Sequence, residues 1–345
     1  MDKRKTFFDM VKEWTINDYR TQKIKSEVIV DMLISEFIEE IVAYGLKAPK
    51  AKLIAKEFPI ARVAQTQNRQ YASVDYLLEV GSAIYLVELK TTNDSIDGIQ
   101  FLNMLKTCEE NEEVLNNLGK HENSMSSLYG RFCDLIENYC LDSNHANDLR
   151  TKKYLYTVMQ MGKRWEIPKE GRDSFGEERP GKDNLKKRQV DASRAIMRQV
   201  FKMDVPLKIL YLSLHDVENK EIINAAGKLR EGKVSEVIKQ YSKEKIKKTK
   251  EAKEGKKTIT EYEKLLDEKA EQKWLAEPII LESFVPSIVD DTAEKIKIKK
   301  KQRDKFLERL PKEKKELWEQ TEQILSELLI PANQWFSEVK KNPAG

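Results

Sequence analysis

A chain of 345 residues, 40% of them hydrophobic, can bury a substantial core in one large domain or two ordinary ones. Charged residues make up 35% and the mean hydropathy is -0.64, which points to long solvated helices, since ~25% charge is usual for globular chains. Three cysteines without paired spacing, Cys108, Cys133 and Cys140, argue against a disulfide framework or a zinc site.

The opening MDKRKTFFDMVKEWT returns to charged residues too soon to hold the apolar core of a signal peptide, and no apolar run approaches the ~18 residues of a membrane span. The expectation is a soluble, cytoplasmic protein that meets no membrane. The net charge of +4 conceals segregation. Residues 239 to 257 carry nine Lys against three Glu, and residues 295 to 305 carry six Lys and Arg303 against Asp304, a net +6 in each stretch.

In chain order, the first clear element is SEVIVDMLISEFIEEIVAY, a helix with Ser26 as its N-cap. At ~100° per residue, Ile34, Ile38 and Ile41 lie within about 40° of Glu27, so Glu27 should point inward, with Asp31 near the same stripe. Glu36, Glu39 and Glu40 fall roughly 120° to 180° away and read as a solvated face. Glu27 also suits a purely structural role, as a first-turn acid that complements the helix dipole.

Next comes VDYLLEVGSAIYLVELKTT, two strands joined by Gly81-Ser82 in a type II′ turn. Pairing Val80 with Ala83 sets Asp75 opposite Glu88, with Lys90 two residues on along the same face. Adjacent carboxylates repel unless a cation lies between them. The plain alternative is an Asp75–Lys90 salt bridge at a sheet surface with Glu88 solvated. Against it, AIYLVEL is apolar on both faces, as an interior strand is, and there an unpaired carboxylate is costly.

Asp75, twelve residues, then Glu88-Leu89-Lys90 within VELK resembles the core of the PD-(D/E)XK nuclease superfamily, with Val74 in place of the proline that often precedes the aspartate. The resemblance implies an α/β fold with a restriction-endonuclease-like core: a helix, a mixed sheet with the hairpin at its centre, and a second helix. It implies Asp75, Glu88 and Lys90 as catalytic residues. A Mg²⁺ or Mn²⁺ ion would be held by Asp75, Glu88, the backbone carbonyl of Leu89 and Glu27, with Asp31 as a second choice for the helix acid. Some branches of the superfamily place a Gln on the helix after the hairpin. Gln100, in TTNDSIDGIQFLNMLK, is in a comparable position, with Met104 where a Tyr usually follows; an exposed helix glutamine is the structural alternative.

Residues 101 to 165 read as mostly helical, and EIPKEGRDSFGEERPGKDNLKKRQ has the composition of a mobile loop. DVPLKILYLSLHD, from Asp204, is the next strand. These limits give a nuclease-like domain over 1–216, with a helical insertion at about 108–203, and a mainly helical, lysine-rich region over 217–345. His121, His145 and His215 show no ligand spacing. Within the last region Lys245, Lys247, Lys248 and Lys250 either contact phosphates or form a solvated face, and KIKIKKKQRDK is a second basic arm.

The function implied is a metal-dependent nuclease acting on nucleic acid, DNA before RNA. Two other classes stay open: a nuclease fold that binds nucleic acid or protein without cutting, and a helical scaffold whose hairpin matches by chance. A homo-oligomer or protein partner engaging the helical C-terminal region is compatible with each.

Overall fold

A computed structural model describes residues 13, 15–16, 26–60, 72–91, 96, 98–117, 205–228, 273–285 and 292–329. The elements are α1 (Ser26–Ile34), a 3₁₀ turn (Ser35–Phe37), α2 (Ile38–Gly45), β1 (Ala51–Ile60), β2 (Ala72–Val80), β3 (Ala83–Lys90) and α3 (Gly98–Asn117). Then follow β4 (Leu207–Ser213), α4 (Asn219–Lys228), β5 (Ile279–Ile280), a second 3₁₀ turn (Leu281–Phe284), α5 (Ala293–Arg309) and α6 (Lys312–Leu328). The architecture is α/β: one mixed sheet of order β1-β2-β3-β4-β5, flanked by helices. The first three strands pair antiparallel with one another, whereas β4 runs parallel to β3 and β5 parallel to β4.

The long N-terminal helix is interrupted. Ser35 Oγ donates to the Asp31 carbonyl one turn back, and a 3₁₀ turn follows. Such back-bonding bends helices. The expected solvated face is found only in part. Glu36 remains exposed, but Glu39 Oε1 accepts the Leu53 N–H at 2.6 Å and Glu40 pairs with Lys314 at 2.7 Å.

Strand β1 has no counterpart among the sequence expectations. Its AKLIAKEFPI carries two lysines and a proline, tolerable because β1 is an edge strand. The hairpin keeps the expected register from Val80–Ala83 to Tyr76–Val87. Gly81 takes φ +61° and Ser82 stays outside the positive-φ region, as a type II′ turn requires. Helix α3 runs on to Asn117, so the first ten residues of the expected insertion belong to a helix that starts directly after the hairpin. Asn111 Nδ2 fastens it to the Val205 carbonyl at 3.2 Å, just ahead of β4.

The sequence boundary after residue 216 does not divide the core. Ile279 of β5 pairs with Leu212, and Gly45 lets the end of α2 press directly on the Ile279 side chain. Phe306, Trp318, Ile324, Leu325 and Leu328 of α5 and α6 share one buried cluster with Ile34, Ile38 and Ile41 of the N-terminal helices and Val87 and Leu89 of β3. Edge-on ring contacts bind it: Phe37–Trp318 at 5.0 Å, Trp318–Phe306 at 4.8 Å and Phe306–Phe284 at 5.0 Å. Pairs of this kind add about 0.5–1.5 kcal/mol each beyond area burial. Among the described residues, no helix is long and apolar enough to cross a membrane.

Candidate active site

Pairing between β2 and β3 stops at Tyr76–Val87, one pair short of the expected opposition of Asp75 and Glu88. Beyond that point a side chain replaces the ladder: Asp75 Oδ2 accepts the Leu89 N–H at 2.7 Å. On the other side of β2 the paired positions likewise skip Asp75, passing from Tyr76 to Val74, and Glu57 of β1, in the skipped stretch, has φ +52°. A non-glycine residue in that region is a small reservoir of strain of the kind found near functional sites. Asp75 therefore sits at a gap in both ladders.

Glu88 and Lys90, on the same face of β3, are almost fully buried, at 6% and 7% exposure. Lys90 Nζ donates to Glu88 Oε1 at 2.9 Å and to Glu27 Oε1, in the first turn of α1, at 3.2 Å. Gln100 Nε2 donates to Glu88 Oε2 at 3.2 Å and to the Ser73 carbonyl at 2.5 Å, joining α3 to β2 and β3. Of the residues singled out in the sequence, Glu27, Asp75, Glu88, Lys90 and Gln100 are thus brought together. The Asp75–Lys90 surface salt bridge with a solvated Glu88 is not what forms: Glu88 is the buried partner of Lys90.

Leu89 and Asp31 stand apart from this cluster. The Leu89 side chain lies in the apolar core and its N–H is given to Asp75, so its carbonyl oxygen is all it can offer a ligand. Asp31 faces Tyr76 and Lys56: it accepts from the Tyr76 hydroxyl and, at 3.0 Å, from Lys56 Nζ. Burial and the Asp31 contact push the Tyr76 hydroxyl well above its usual range. Lys245, Lys247, Lys248 and Lys250 lie outside the described residues, as do Cys133, Cys140, His121 and His145. Cys108 is a buried free thiol on α3.

The electrostatics follow from burial and crowding. Desolvation, then the Glu88 charge, raises Asp75 to about 7, against the lowering effect of the Leu89 N–H and Lys90. Desolvation also raises Glu88, although Lys90 and Gln100 oppose it. For Lys90, burial works downward, but Glu88, Glu27 and Asp75 outweigh it and keep the ammonium charged above its ordinary value. The cluster therefore holds one firmly charged cation and an excess of carboxylate whose ionisation is held back.

Among the described residues, no three His, Cys, Asp or Glu side chains are arranged to cage a metal by themselves. Asp75 and Glu88 form a smaller donor set. A carboxylate has about four lone-pair sites, so the donors from Lys90 and Gln100 do not exhaust Glu88. Two carboxylates fit a hard divalent cation that completes its shell with water and a phosphate, as Mg²⁺ commonly does. His215, a lone histidine in the sequence just beyond β4, lies 3.7 Å through Nδ1 from Glu282. Only the return of the chain after β5 reveals that partner. No family model matches the chain, and no curated protein or solved structure matches it.

Proposed function

We propose that this protein is a metal-dependent nuclease with a restriction-endonuclease-like core of the PD-(D/E)XK type, which hydrolyses phosphodiester bonds in nucleic acid, DNA before RNA. The observation that carries this reading is the group formed by buried Glu88 and Lys90 with half-buried Asp75, whose carboxyl is raised to about 7. Strong pKa perturbation by burial together with a specific charge partner is typical of functional sites. Hairpin, following helix and parallel β4 in this order are compatible with the proposed core.

Asp75 and Glu88 would hold a Mg²⁺ or Mn²⁺ ion, which when bound supplies a Lewis acid and a water of lowered pKa. Glu27, which shares Lys90 with Glu88, is a further donor in the same group, and the Leu89 carbonyl is the donor that the resemblance adds. Lys90 is held as an ammonium, with three N–H donors and no lone pair, so it suits a charge-stabilising role at a phosphate oxygen better than that of a base. Gln100 positions Glu88 through Nε2 and ties α3 to the Ser73 carbonyl, which fixes the carboxylate before substrate arrives.

One feature favours a second reading, a nuclease fold that binds nucleic acid or a protein partner without cutting. Lys90 already bridges Glu88 and Glu27, so the cluster is partly neutralised without a cation. Incubation of the pure protein with plasmid, linear and single-stranded DNA and with RNA, in Mg²⁺, Mn²⁺ or EDTA, separates the two. Cleavage that requires the divalent ion supports the first reading. Binding with no cleavage under any condition supports the second.

A further inference from the structure

The ends of β3, β4 and β5 nearest the cluster are linked in sequence. The Leu214 N–H donates to the Lys90 carbonyl at 2.8 Å, and the Glu282 N–H donates to the Leu214 carbonyl at 3.1 Å. The Glu282 carboxylate then lies 3.7 Å from His215 Nδ1 and 3.6 Å from Lys299 Nζ on α5. His215, and after it Lys299, hold Glu282 below its ordinary range despite partial burial. Two backbone hydrogen bonds and one ion pair thus connect Lys90 to α5. From β3 to β5 is two strand spacings, ~10 Å, about three base-pair steps at ~3.4 Å each along a duplex axis.

The charge on α5 is divided along its length. Residues 293 to 303 carry five Lys and Arg303 against Glu294 alone, a net +5, whereas residues 304 to 309 balance Lys305 and Arg309 against Asp304 and Glu308. The basic half is the one fastened to Glu282. The balanced half reaches the opposite end of the sheet, where Arg309 Nη1 donates to the Ala48 carbonyl at 3.2 Å, close to β1 and the hairpin turn. Arg303 is taken up by Glu322 at 2.7 Å. Lys295, Lys297, Lys300 and Lys301 are exposed and have no ion pair among the described residues. A solvated helix on a stable fold would be served as well by alternating charges, and the second half has them.

We propose that the solvent face of the first half of α5, through Lys297, Lys300 and Lys301, is a track for the nucleic-acid backbone beside the end of the sheet at which Lys90 and His215 lie. The nature of the polyanion rests on the nuclease reading. Phosphate contacts of this kind position a strand without reading its sequence, and they release counterions.

The test uses the full chain in EDTA, so that nothing is cut, and a fluorescent duplex of about 20 base pairs titrated from about 50 to about 200 mM KCl. A combined Lys297→Gln, Lys300→Gln, Lys301→Gln variant is expected to lower the slope of log K against log salt by about 2–3 on duplex DNA, ~0.9 for each phosphate that is no longer neutralised. Lys297→Gln or Lys301→Gln alone should each lower it by ~0.9, which keeps the test decisive if the triple variant is unstable. Lys47→Gln, Lys50→Gln and Lys312→Gln together, exposed lysines off the track, should leave the slope unchanged. The same reduction on an RNA duplex and on unrelated DNA sequences would mark a backbone track. An unchanged slope in the α5 variants, an equal reduction in the control, or no binding by the unaltered chain would each overturn the proposal. A reduced slope without any Mg²⁺-dependent cleavage would keep the track and remove only the nuclease reading; cleavage with an unchanged slope would do the reverse.

Discussion

The two faces of β3 set the same backbone to opposite uses. Val87 and Leu89 enter a core closed by α1, α2, α5 and α6, where Phe37, Phe284, Phe306 and Trp318 meet edge to face. One residue away on the strand, Glu88 and Lys90 are equally buried but charged, with Gln100 of α3 reaching Glu88. Burial on the first face is favourable at ~25 cal/mol per Å² of apolar surface, whereas burial of charge on the second is costly unless paired. The charged face is not polar throughout: Ile84 and Leu86, on the same side of β3 as Glu88 and Lys90, are fully buried, so the burial of charge is confined to the end of the strand.

Two substitutions would break that contrast, and the larger effect belongs to the charged face. Asp75→Asn should lower Mg²⁺-dependent cleavage by about 10³-fold or more, because it removes a ligand for the ion that activates water. An Asn carbonyl can still accept the Leu89 N–H, so the fold should survive, as circular dichroism would verify. Cleavage at the unaltered rate would remove the hairpin from the active site.

On the apolar face, Trp318→Ala should cost about 3–5 kcal/mol of unfolding free energy in a urea titration, the usual loss for a large aromatic in a core. Cleavage per folded molecule should be unchanged. Trp318→Phe should cost far less, since Trp318 Nε1 is buried with no acceptor among the described residues, and the replacement removes an unsatisfied donor. Equal losses from the two variants would show that the indole N–H has a partner.

The hairpin is legible because its information is local: period-two alternation, a Gly at the turn and a fixed register. Its last step is not, since the Asp75 side chain takes the Leu89 N–H that a regular ladder would give to backbone. Glu27 turns toward Lys90 on the side of Ile34, Ile38 and Ile41, as the 100° count puts it, whereas Glu39 and Glu40 are taken up by the Leu53 N–H and Lys314, partners that helix periodicity does not contain. Strand β1 escapes a sequence reading because edge strands tolerate lysine and proline, the residues that argue against an interior strand. KELWEQTEQILSELL reads as an amphipathic helix, and it is one, but its sequence does not say that Trp318 and Leu325, with Phe306, complete a core begun some 270 residues earlier, as the Lys314–Glu40 pair spanning 274 residues illustrates. Nothing within a window of about 10 to 20 residues contains such a contact.

Burial, and after it the Glu88 charge, holds back the ionisation of Asp75, and a divalent cation would favour the ionised form. Asp75, raised from 3.8 to about 7, keeps its proton in the folded chain over a range where the unfolded chain has lost it. The folded state binds more protons there, so without metal its stability should fall as pH rises between those two values. Glu88 is shifted in the same direction. The direct measurement is the thermal unfolding midpoint of the unaltered chain and of Asp75→Asn at about pH 5 and about pH 8, each in EDTA and in Mg²⁺. The unaltered chain is expected to lose stability toward the higher pH in EDTA and to regain it with Mg²⁺, while Asp75→Asn shows a smaller loss and little response to the ion. Midpoints that respond equally to pH and to Mg²⁺ in the two proteins would contradict a held-back ionisation centred on Asp75.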